Sequence, residues 1–141
     1  MKIQQLSVFV ENSPGHLQAP CRALADAGVN LATLSLADTQ QYGILRLIVA
    51  DWQRAKAVLE SAGFVVKMTE VLAIEVPDRP GGLADVLRVI EQAQINVEYM
   101  YAFAEKRGDK AVLVFRFEDP DAAIRVLKHS KVNVVDRVDL W

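Results

Sequence analysis

The sequence has few of the residues that build cross-linked or metal-bearing proteins. Cys21 is the only cysteine among 141 residues, which excludes an intrachain disulfide and a cysteine-rich zinc site. The first ten residues include glutamines and a serine where a signal peptide has an unbroken apolar core. No run reaches the roughly 18 apolar residues of a membrane span. These absences predict a cytoplasmic protein without membrane contact.

The sequence also lacks an excess of positively charged residues. The 16 Lys and Arg residues against 18 Asp and Glu residues give a formal net charge of −2. Proteins that bind nucleic acid usually carry a basic stripe, so this balance disfavours a general polyanion binder. Hydrophobic residues make up 52% and charged residues 24% of the chain, which is typical of a globular protein with a well-filled core.

The sequence contains no arrangement of residues that is typical of catalysis. His16 and His129 lie far apart, and Cys21 falls on the apolar stripe of a predicted helix. A Ser/His/Asp order, an H-E-x-x-H motif and a phosphate-binding loop are all missing. The densest carboxylates, at residues 118–121, are typical of a helix start that the helix dipole favours. The sequence therefore predicts that the protein is not an enzyme and holds neither a metal nor a cofactor.

What the sequence does contain is one motif written twice. Glu11 to Leu17 reads E-N-S-P-G-H-L, and Pro77 to Leu83, 66 positions on, reads P-D-R-P-G-G-L. The same spacing aligns further apolar positions: Leu6, Val8 and Val10 with Leu72, Ile74 and Val76, and Leu45, Leu47 and Val49 with Ala111, Leu113 and Phe115. Beyond Val49 the spacing grows to 68. We interpret the chain as a tandem duplication with units at 1–70 and 71–141.

Each unit shows the same order of hydrophobic periodicities. In the first unit, alternation at residues 6–10 predicts a strand, and helical spacing from Leu17 predicts a helix. A hairpin, a second helix that ends at Gly63 and a last strand follow. The second unit repeats this order, and Asp119-Pro120 caps and opens its second helix. The order β-α-β-β-α-β, twice, predicts an α+β fold of two ferredoxin-like units, each a four-stranded antiparallel sheet with two helices on one face.

Two local features complete this prediction. Pro20 falls inside the first predicted helix, where it removes a backbone donor. Either Pro20 lies within the first turn, or the helix begins later than the Pro-Gly motif indicates. In the second unit, residues 132–138 are predicted to form the closing strand.

The sheet face away from the helices is predicted to be apolar. The side chains assigned to it are Tyr99, Tyr101, Phe103, Val112, Val114, Ile44 and Ile48. A monomer rarely exposes so much apolar surface, so we expect the sister unit or a second chain, as in a homodimer, to cover it. Two alternatives stay open: scattered surface hydrophobes, and base stacking as in RNA-recognition modules of this fold. The third strands lack the K/R-G-F-x-F-like run of such modules.

The two Pro-Gly turns join the first strand of each unit to its first helix. Gly15 and Gly81 allow a tight bend, and Gly82 also allows another group to approach closely. A helix start leaves N–H groups that suit a carboxylate, while Asn12 and Asp78 offer oxygens to an ammonium group. Donors beside acceptors suit an α-amino acid. A purely structural turn is the alternative, because Asx and Pro-Gly are favoured in any strand-to-helix turn.

On these motifs the chain resembles tandem ACT-domain proteins over nearly its whole length. The motifs are N-x-P-G-x-L at Asn12 to Leu17 with G-V-N-L at Gly28 to Leu31, and D-x-P-G-x-L at Asp78 to Leu83 with I-N-V at Ile95 to Val97. The resemblance implies a small-molecule sensing module, free-standing or attached to an enzyme of amino-acid biosynthesis. It also implies that the ligand binds at the loop before the first helix, often where two units abut.

The resemblance assigns ligand contacts residue by residue. They are Asn12, Ser13, Gly15, His16, Leu17 and Asn30 in the first unit, and Asp78, Arg79, Gly81, Gly82, Leu83 and Asn96 in the second. Because Gln94 stands where the first unit has a glycine, and because the loops differ, we expect unequal sites. The predicted function is a regulatory module that binds an amino acid and signals to a separate enzyme or regulator. A dimerisation module without a ligand is the competing class.

Overall fold

A computed structural model of the chain describes residues 1–140, apart from the side chains of residues 105 and 138. The predicted second unit's last residue, Trp141, lies outside the described residues. Over this range the elements are β1 (Ile3–Glu11), α1 (Gln18–Asp26), β2 (Thr33–Asp38), β3 (Tyr42–Ile48), α2 (Trp52–Ser61), β4 (Val65–Pro77), α3 (Gly82–Gln92), β5 (Val97–Arg107), β6 (Lys110–Phe117), α4 (Pro120–His129) and β7 (Val134–Val135), followed by a 3₁₀ turn (Arg137–Leu140).

The chain divides into two compact lobes. The N lobe is Gln4–Thr69, and the C lobe is Met1–Ile3 together with Glu70–Trp141. β4 therefore gives residues 65–69 to the N lobe and residues 70–77 to the C lobe. The strand order is β2-β3-β1-β4 in the N lobe and β5-β6-β4-β7 in the C lobe. The predicted α+β fold, with the β-α-β-β-α-β order of a ferredoxin-like unit in each lobe, is confirmed.

The core of the N lobe lies between one sheet face and the two helices. Leu6 and Val8 of β1 lie opposite Leu47 and Leu45 of β3 in an antiparallel pair, and residues directly opposite share a face. These four side chains are fully buried and form one cluster with residues of both helices: Leu24, Ala55 and Leu59. The alternation of apolar side chains at residues 6–10 thus determines which face of the sheet the helices cover.

The core of the C lobe repeats this arrangement with aromatic side chains added. Leu72 of β4 lies opposite Phe115 of β6, and the rings of Phe115 and Phe117 stack with their centroids 5.6 Å apart. The helices contribute buried side chains to the same cluster: Val86, Ile90, Ala123 and Leu127. The predicted helix cap is present, because a carboxylate oxygen of Asp119 accepts from the N–H of Ala122 at 3.0 Å.

The strand register corrects the sequence alignment of the two units. Leu47 lies opposite Leu6, and Phe115 lies opposite Leu72, the counterpart of Leu6. Leu47 therefore corresponds to Phe115, 68 positions on, and the expected match of Leu47 with Leu113 is wrong. With this shift the corresponding pairs of β3 and β6 are Gly43 with Ala111, Leu45 with Leu113, and Leu47 with Phe115.

The two extra residues of the second unit lie in its hairpin. Leu34 of β2 and Met100 of β5 are 66 positions apart and lie opposite corresponding residues of β3 and β6. The separation of corresponding residues in the two units thus changes from 66 to 68 between the two strands of the hairpin. The sequence alignment places this change later, after Val49. The pairing of β5 with β6 is irregular between Ala102 and Lys106, where an insertion is accommodated without displacing core side chains.

Pro20 explains why α1 begins later than α3. α3 begins at Gly82, whose counterpart is His16, yet α1 begins at Gln18. Pro20 stands at the counterpart of Val86, and it has no N–H to donate to the carbonyl of His16. The first intrahelical bonds are interrupted there, so the regular helix starts two residues on. Pro20 itself lies in the first turn of α1 and is buried.

The predicted closing strand of the second unit is shorter than expected. β7 covers only Val134–Val135, and the residues after Asp136 form the 3₁₀ turn. The Asp136 carboxylate accepts from the N–H of Arg137 at 2.7 Å, and its carbonyl accepts from Asp139 at 3.0 Å. Such local bonds of an Asp compete with strand pairing, which explains why the strand ends there.

The predicted apolar stripe on the second sheet face is buried in part. Val112, Val114 and Ile48 are buried, and they belong to neither of the two helix-facing core clusters. The other side chains of the stripe are half-buried: Tyr99, Tyr101, Phe103 and Ile44. The apolar character of this face is thus more than scattered surface hydrophobicity.

Candidate functional site

The two Pro-Gly loops share one main-chain hydrogen-bond pattern. In the N lobe, main-chain N–H groups donate to main-chain carbonyl oxygens from Ser13 to Glu11, from His16 to Ser13 and from Ala19 to Gly15, with N···O distances of 3.1, 3.3 and 3.2 Å. The corresponding bonds of the C lobe run from Arg79 to Pro77, from Gly82 to Arg79 and from Asp85 to Gly81, with distances of 2.9, 3.0 and 2.9 Å. Gly15 and Gly81 have φ angles of 87° and 85°, in the left-handed region that favours glycine. The repeated motif therefore encodes one backbone turn.

The turn is tighter in the C lobe. Each of its three bonds is 0.2 to 0.3 Å shorter than its counterpart in the N lobe. A Cβ added to Gly82 would lie 2.0 Å from the carbonyl oxygen of Pro77, so no larger residue fits there without a backbone shift. The close approach that glycine allows at position 82 is thus made by the main-chain carbonyl of Pro77. His16 stands at this position in the N lobe.

His16 is engaged by its own loop. Its Nδ1 lies 2.7 Å from the hydroxyl of Ser13 and 3.3 Å from a carboxylate oxygen of Glu11, and all three side chains are largely solvent-exposed. The imidazole therefore contacts other side chains of the N-lobe turn on its solvent-facing side.

The N-lobe loop borders a small cavity of about 220 Å³ at the end of β1. Its apolar lining residues are Val10, Leu17, Leu36 and Gly43, and its polar ones are Glu11, Asn12, Ser13 and Asp38. A Cβ on Gly43 would lie 3.0 Å from Val10 and 3.2 Å from Leu36, so the glycine keeps this space open. The cavity brings together Asn12, Ser13 and Leu17 of the predicted contacts, and no cationic side chain lines it.

The C-lobe loop borders a larger cavity of about 290 Å³. It lies between the end of β4, the start of α3 and the loop that follows α4. Arg79 and Gly82 are the predicted contacts that line it. Five ionisable residues line this space: Glu75, Arg79, Asp85, Lys110 and Lys131. Glu75 alternates along β4 with Ile74 and Val76 of the helix-facing core, so its side chain points to the other face of the sheet. The N-lobe cavity has no such mixture of charges.

The charges of the C-lobe cavity are partly paired. Arg79 Nη2 lies 3.2 Å from Asp85 Oδ2, and Lys110 Nζ lies 3.5 Å from Glu75 Oε2. The Glu75 side chain is only 13% exposed, so this carboxylate is held beside its cation away from bulk water. Among the side chains that the structure describes, none forms an ion pair with the ammonium group of Lys131. The residues that line the cavity thus include two carboxylates, two paired cations and one unpaired cation.

The remaining contacts predicted around the C-lobe turn lie outside the cavity. The side-chain carboxylate of Asp78 forms an ion pair with Lys106, and the main-chain N–H of Asp78 donates to the carbonyl of Asp109. Asp78 therefore links the turn to the β5–β6 hairpin. Leu83 packs against the C-lobe core. Gly81 caps α3 with its left-handed backbone. In the N lobe, Gly15 and His16 likewise do not line the cavity.

The two predicted asparagines lie at the other helix ends. Asn96 borders an open groove with Gln94 and Ile95 after α3, and its carbonyl accepts from Glu118. A helix of 11 residues is about 16 Å long, which separates Asn96 from the Pro-Gly turn of its own lobe. Asn30 is exposed at the corresponding place after α1. The structure therefore does not bring either asparagine to the loop cavity of its lobe.

The sequence pattern missed most of the charged lining. Glu75, Lys110 and Lys131 come from a strand, a hairpin and a helix end that no motif connects. One signal was available: Lys131 stands where the first unit has Gly63, a helix-ending glycine. A long charged residue at a position that favours glycine indicates a use for the side chain.

Within the described part of the chain, no group of three or more His, Cys, Asp or Glu side chains could hold a metal ion. No helix among residues 1–140 is both long and apolar enough to cross a membrane.

Comparison with known proteins relates the whole chain to one family. Residues 1–141 match the family described as ACT domain pair. The structure of protein BT0572 from Bacteroides thetaiotaomicron is 38% identical, with a TM-score of 0.92 over 99% of this chain and 96% of that one. Comparison with curated proteins gives no significant match.

Two more distant structures share the fold. The ligand-free regulatory subunit of aspartate kinase from Thermus thermophilus is 16% identical, with a TM-score of 0.65 over 90% of this chain and 91% of that one. The corresponding subunit from Thermus flavus is 16% identical, with a TM-score of 0.62 over 91% and 92%.

Proposed function

The chain belongs to the ACT domain pair family, and on that basis we propose that it is a regulatory module whose ligand is an α-amino acid bound in the C-lobe cavity. The observation that carries this proposal is the cavity of about 290 Å³ with charges of both signs beside the start of α3. In this proposal the chain has no catalysis of its own and uses no cofactor.

The size of the cavity supports a ligand of this class. A water molecule occupies about 30 Å³ in the liquid, so 290 Å³ holds roughly ten non-hydrogen atoms. Amino acids of moderate size have about that number. The volume is at the lower end of the roughly 300–1,000 Å³ that ligand pockets span, which suits a small ligand.

The charges support a zwitterion. A carboxylate would be attracted by Lys131 and by the start of α3, where the N–H groups of Leu83 and Ala84 have no main-chain acceptor among residues 1–140. An ammonium group would be accepted by the carboxylate of Asp85 in the first turn of α3. The N-lobe cavity offers acceptors but no cation, so we propose that it binds an amino acid more weakly.

A screen of the twenty standard amino acids by thermal shift tests this proposal. A ligand at 100 times its Kd adds about 2.7 kcal/mol to the free energy of unfolding, which gives a clear rise in Tm. Asp85→Asn, which keeps the shape and removes the negative charge, should abolish most of the rise. Asp26→Asn is the matched control, because Asp26 is an exposed acid on α1 that lines neither loop cavity. If no amino acid raises Tm, the competing class of a ligand-free dimerisation module is favoured.

We also propose that the signal passes to a separate enzyme or regulator. The two Thermus proteins with this fold are described as regulatory subunits, which offers a precedent for a partner on another chain. We propose a cytoplasmic location, as the sequence predicts. Co-purification of an enzyme whose activity changes when the amino acid is added would identify the partner.

A homodimer is the further part of the proposal. On the sheet face away from the N-lobe helices, Phe9 is 41% exposed, and it lies opposite Ile44 with Tyr42 two residues along. A second copy of the chain would bury these side chains. Sedimentation velocity should give a dimer for the natural sequence and a monomer for Phe9→Lys. Leu34→Lys is the control, since Leu34 is 52% exposed but lies on the helix side of the sheet.

A further inference from the structure

Among residues 1–140, two residues other than glycine have left-handed backbones, and both lie in the C lobe beside a cavity. Gln94 has φ 56° and Lys131 has φ 59°. Lys131 lines the loop cavity, and Gln94 lines the groove at the far end of α3. In the N lobe the corresponding positions are Gly28 and Gly63, which have φ 70° and 90°. The C lobe thus carries long polar side chains where its sister carries glycine.

The left-handed conformation at Lys131 costs free energy that a glycine would not cost. The position itself needs no side chain, because a Cβ on Gly63 in the N lobe would meet nothing within 4 Å. Packing therefore does not explain the lysine. Lys131 lines the cavity, and no side chain that the structure describes forms an ion pair with it, which leaves its ammonium group available to a ligand.

The charge around this cavity is positive in sum. Each of its two carboxylates faces two cations: Glu75 faces Lys110 and Arg107, and Asp85 faces Arg79 and Arg88. Lys131 adds a fifth cation. A ligand with a net negative charge is therefore attracted more strongly than a neutral zwitterion.

We infer that the C-lobe cavity selects an acidic amino acid, with two carboxylates and one ammonium group, and that Lys131 contacts one of those carboxylates. This inference rests on the proposed function and adds the class of ligand. Asp85, in the first turn of α3, accepts from the ammonium group, while Lys131 and the start of α3 attract the carboxylates. Lys131 is in this account the residue that sets selectivity for an acid over its amide.

The sister lobe supports this assignment by contrast. The corresponding N-lobe positions carry no charge: Phe9 for Glu75, Ser13 for Arg79, Ala19 for Asp85, Tyr42 for Lys110 and Gly63 for Lys131. The cavity's charges are thus not part of the shared scaffold, and they are present together in one lobe.

Isothermal titration calorimetry on the full chain tests the inference with aspartate, glutamate, asparagine and glutamine. We expect an acid to bind at least about tenfold more tightly than its amide, since a charge-assisted bond contributes that much. Lys131→Gly should reduce this preference to about threefold or less. The variant should fold at least as stably as the natural sequence, because glycine suits the left-handed backbone.

Gln94→Gly is the matched control, because it relieves the same backbone strain outside the loop cavity. It should leave the affinity for the acid unchanged. Lys131→Asn provides a second variant, because asparagine tolerates the left-handed region without supplying a charge.

The outcomes separate the two proposals. If amides bind as tightly as acids, or if Lys131→Gly keeps the preference for acids, the selectivity inference is wrong and the proposed function stands. If no amino acid binds to the natural sequence, the proposed function fails and this inference fails with it. Loss of acid preference in Lys131→Gly and Lys131→Asn, with Gln94→Gly unchanged, supports both.

Discussion

In the N lobe, the surface that corresponds to the charged C-lobe cavity is apolar and open. Phe9, Tyr42 and Val65 are 41%, 56% and 68% exposed, and their counterparts are Glu75, Lys110 and Asn133. The turn beneath these residues has the same three main-chain bonds in both lobes. Duplication has thus kept one backbone scaffold while the side chains around it have diverged. A charged cavity suits a polar ligand, whereas an exposed apolar face suits a protein surface.

The largest expected effect tests which residue of β6 corresponds to Leu47. Phe115→Ala should lower the free energy of unfolding by about 4 kcal/mol, because it removes a fully buried ring that stacks on Phe117. Leu113→Ala should cost clearly less, since Leu113 is only partly buried. Urea denaturation measures both. A larger loss for Leu113→Ala would contradict the register that makes Phe115 the counterpart of Leu47.

The second prediction is that substitutions at corresponding positions of the two turns have different effects on stability. Gly82→Ala places a Cβ 2.0 Å from the carbonyl oxygen of Pro77, and the backbone shift should cost about 3 kcal/mol. His16→Ala at the corresponding position should change stability by less than about 0.5 kcal/mol, because His16 is exposed. Thermal denaturation of both variants makes the comparison. Similar losses at the two positions would show that the turns are equally tight.

The third prediction concerns a feature that the lobes share. Asp51 and Asp119 cap α2 and α4, with carboxylates that accept from Arg54 at 3.1 Å and Ala122 at 3.0 Å. Replacing either by Ala should cost about 1 kcal/mol, measured by urea denaturation. Asp51→Asn and Asp119→Asn, which remove the charge and keep a capping oxygen, are the controls for loss of charge alone. Unequal losses at Asp51 and Asp119 would mean that the second helices have diverged as well.

The smallest expected effect is a pH dependence confined to the C lobe. Hydrogen bonds and charge attraction from Asp121 and Glu70 raise the pKa of Lys2 above its ordinary value of 10.5. The contribution of Lys2 is therefore complete below 10.5 and is lost as the pH rises through the raised pKa. The difference in Tm between the natural sequence and Lys2→Met should be constant from pH 7 to 9 and shrink above 10.5. A difference that already shrinks below pH 9 would contradict the raised pKa.

The sequence predicted the fold because its signals are local and doubled. Alternation at residues 6–10, the left-handed glycines and the Asp119-Pro120 cap each have a direct backbone consequence, and the structure shows all of them. The alignment failed in the hairpin because β3 and β6 carry apolar side chains on both faces. In such a strand a shift of two residues leaves the same side chains facing the core.

The candidate site was less accessible to sequence analysis. Asn12, Ser13, Arg79 and Gly82 were found because they belong to the motif that builds the turn. Glu75, Lys110 and Lys131 are brought together only by folding, from segments more than 20 residues apart. The predicted contacts, the boundary between the units, the homodimer and the cytoplasmic location stay predictions.

The most direct test of the account is an amide NMR titration of the ¹⁵N-labelled chain with glutamate and aspartate. We predict that the largest shift changes fall on Gly82, Asp85, Lys131 and Asn133 in the C lobe, and that the N-lobe turn at Ser13 to Leu17 changes little. Shift changes of equal size in both turns, or none at the C-lobe cavity at saturating ligand, would contradict the claim that this cavity is the ligand site.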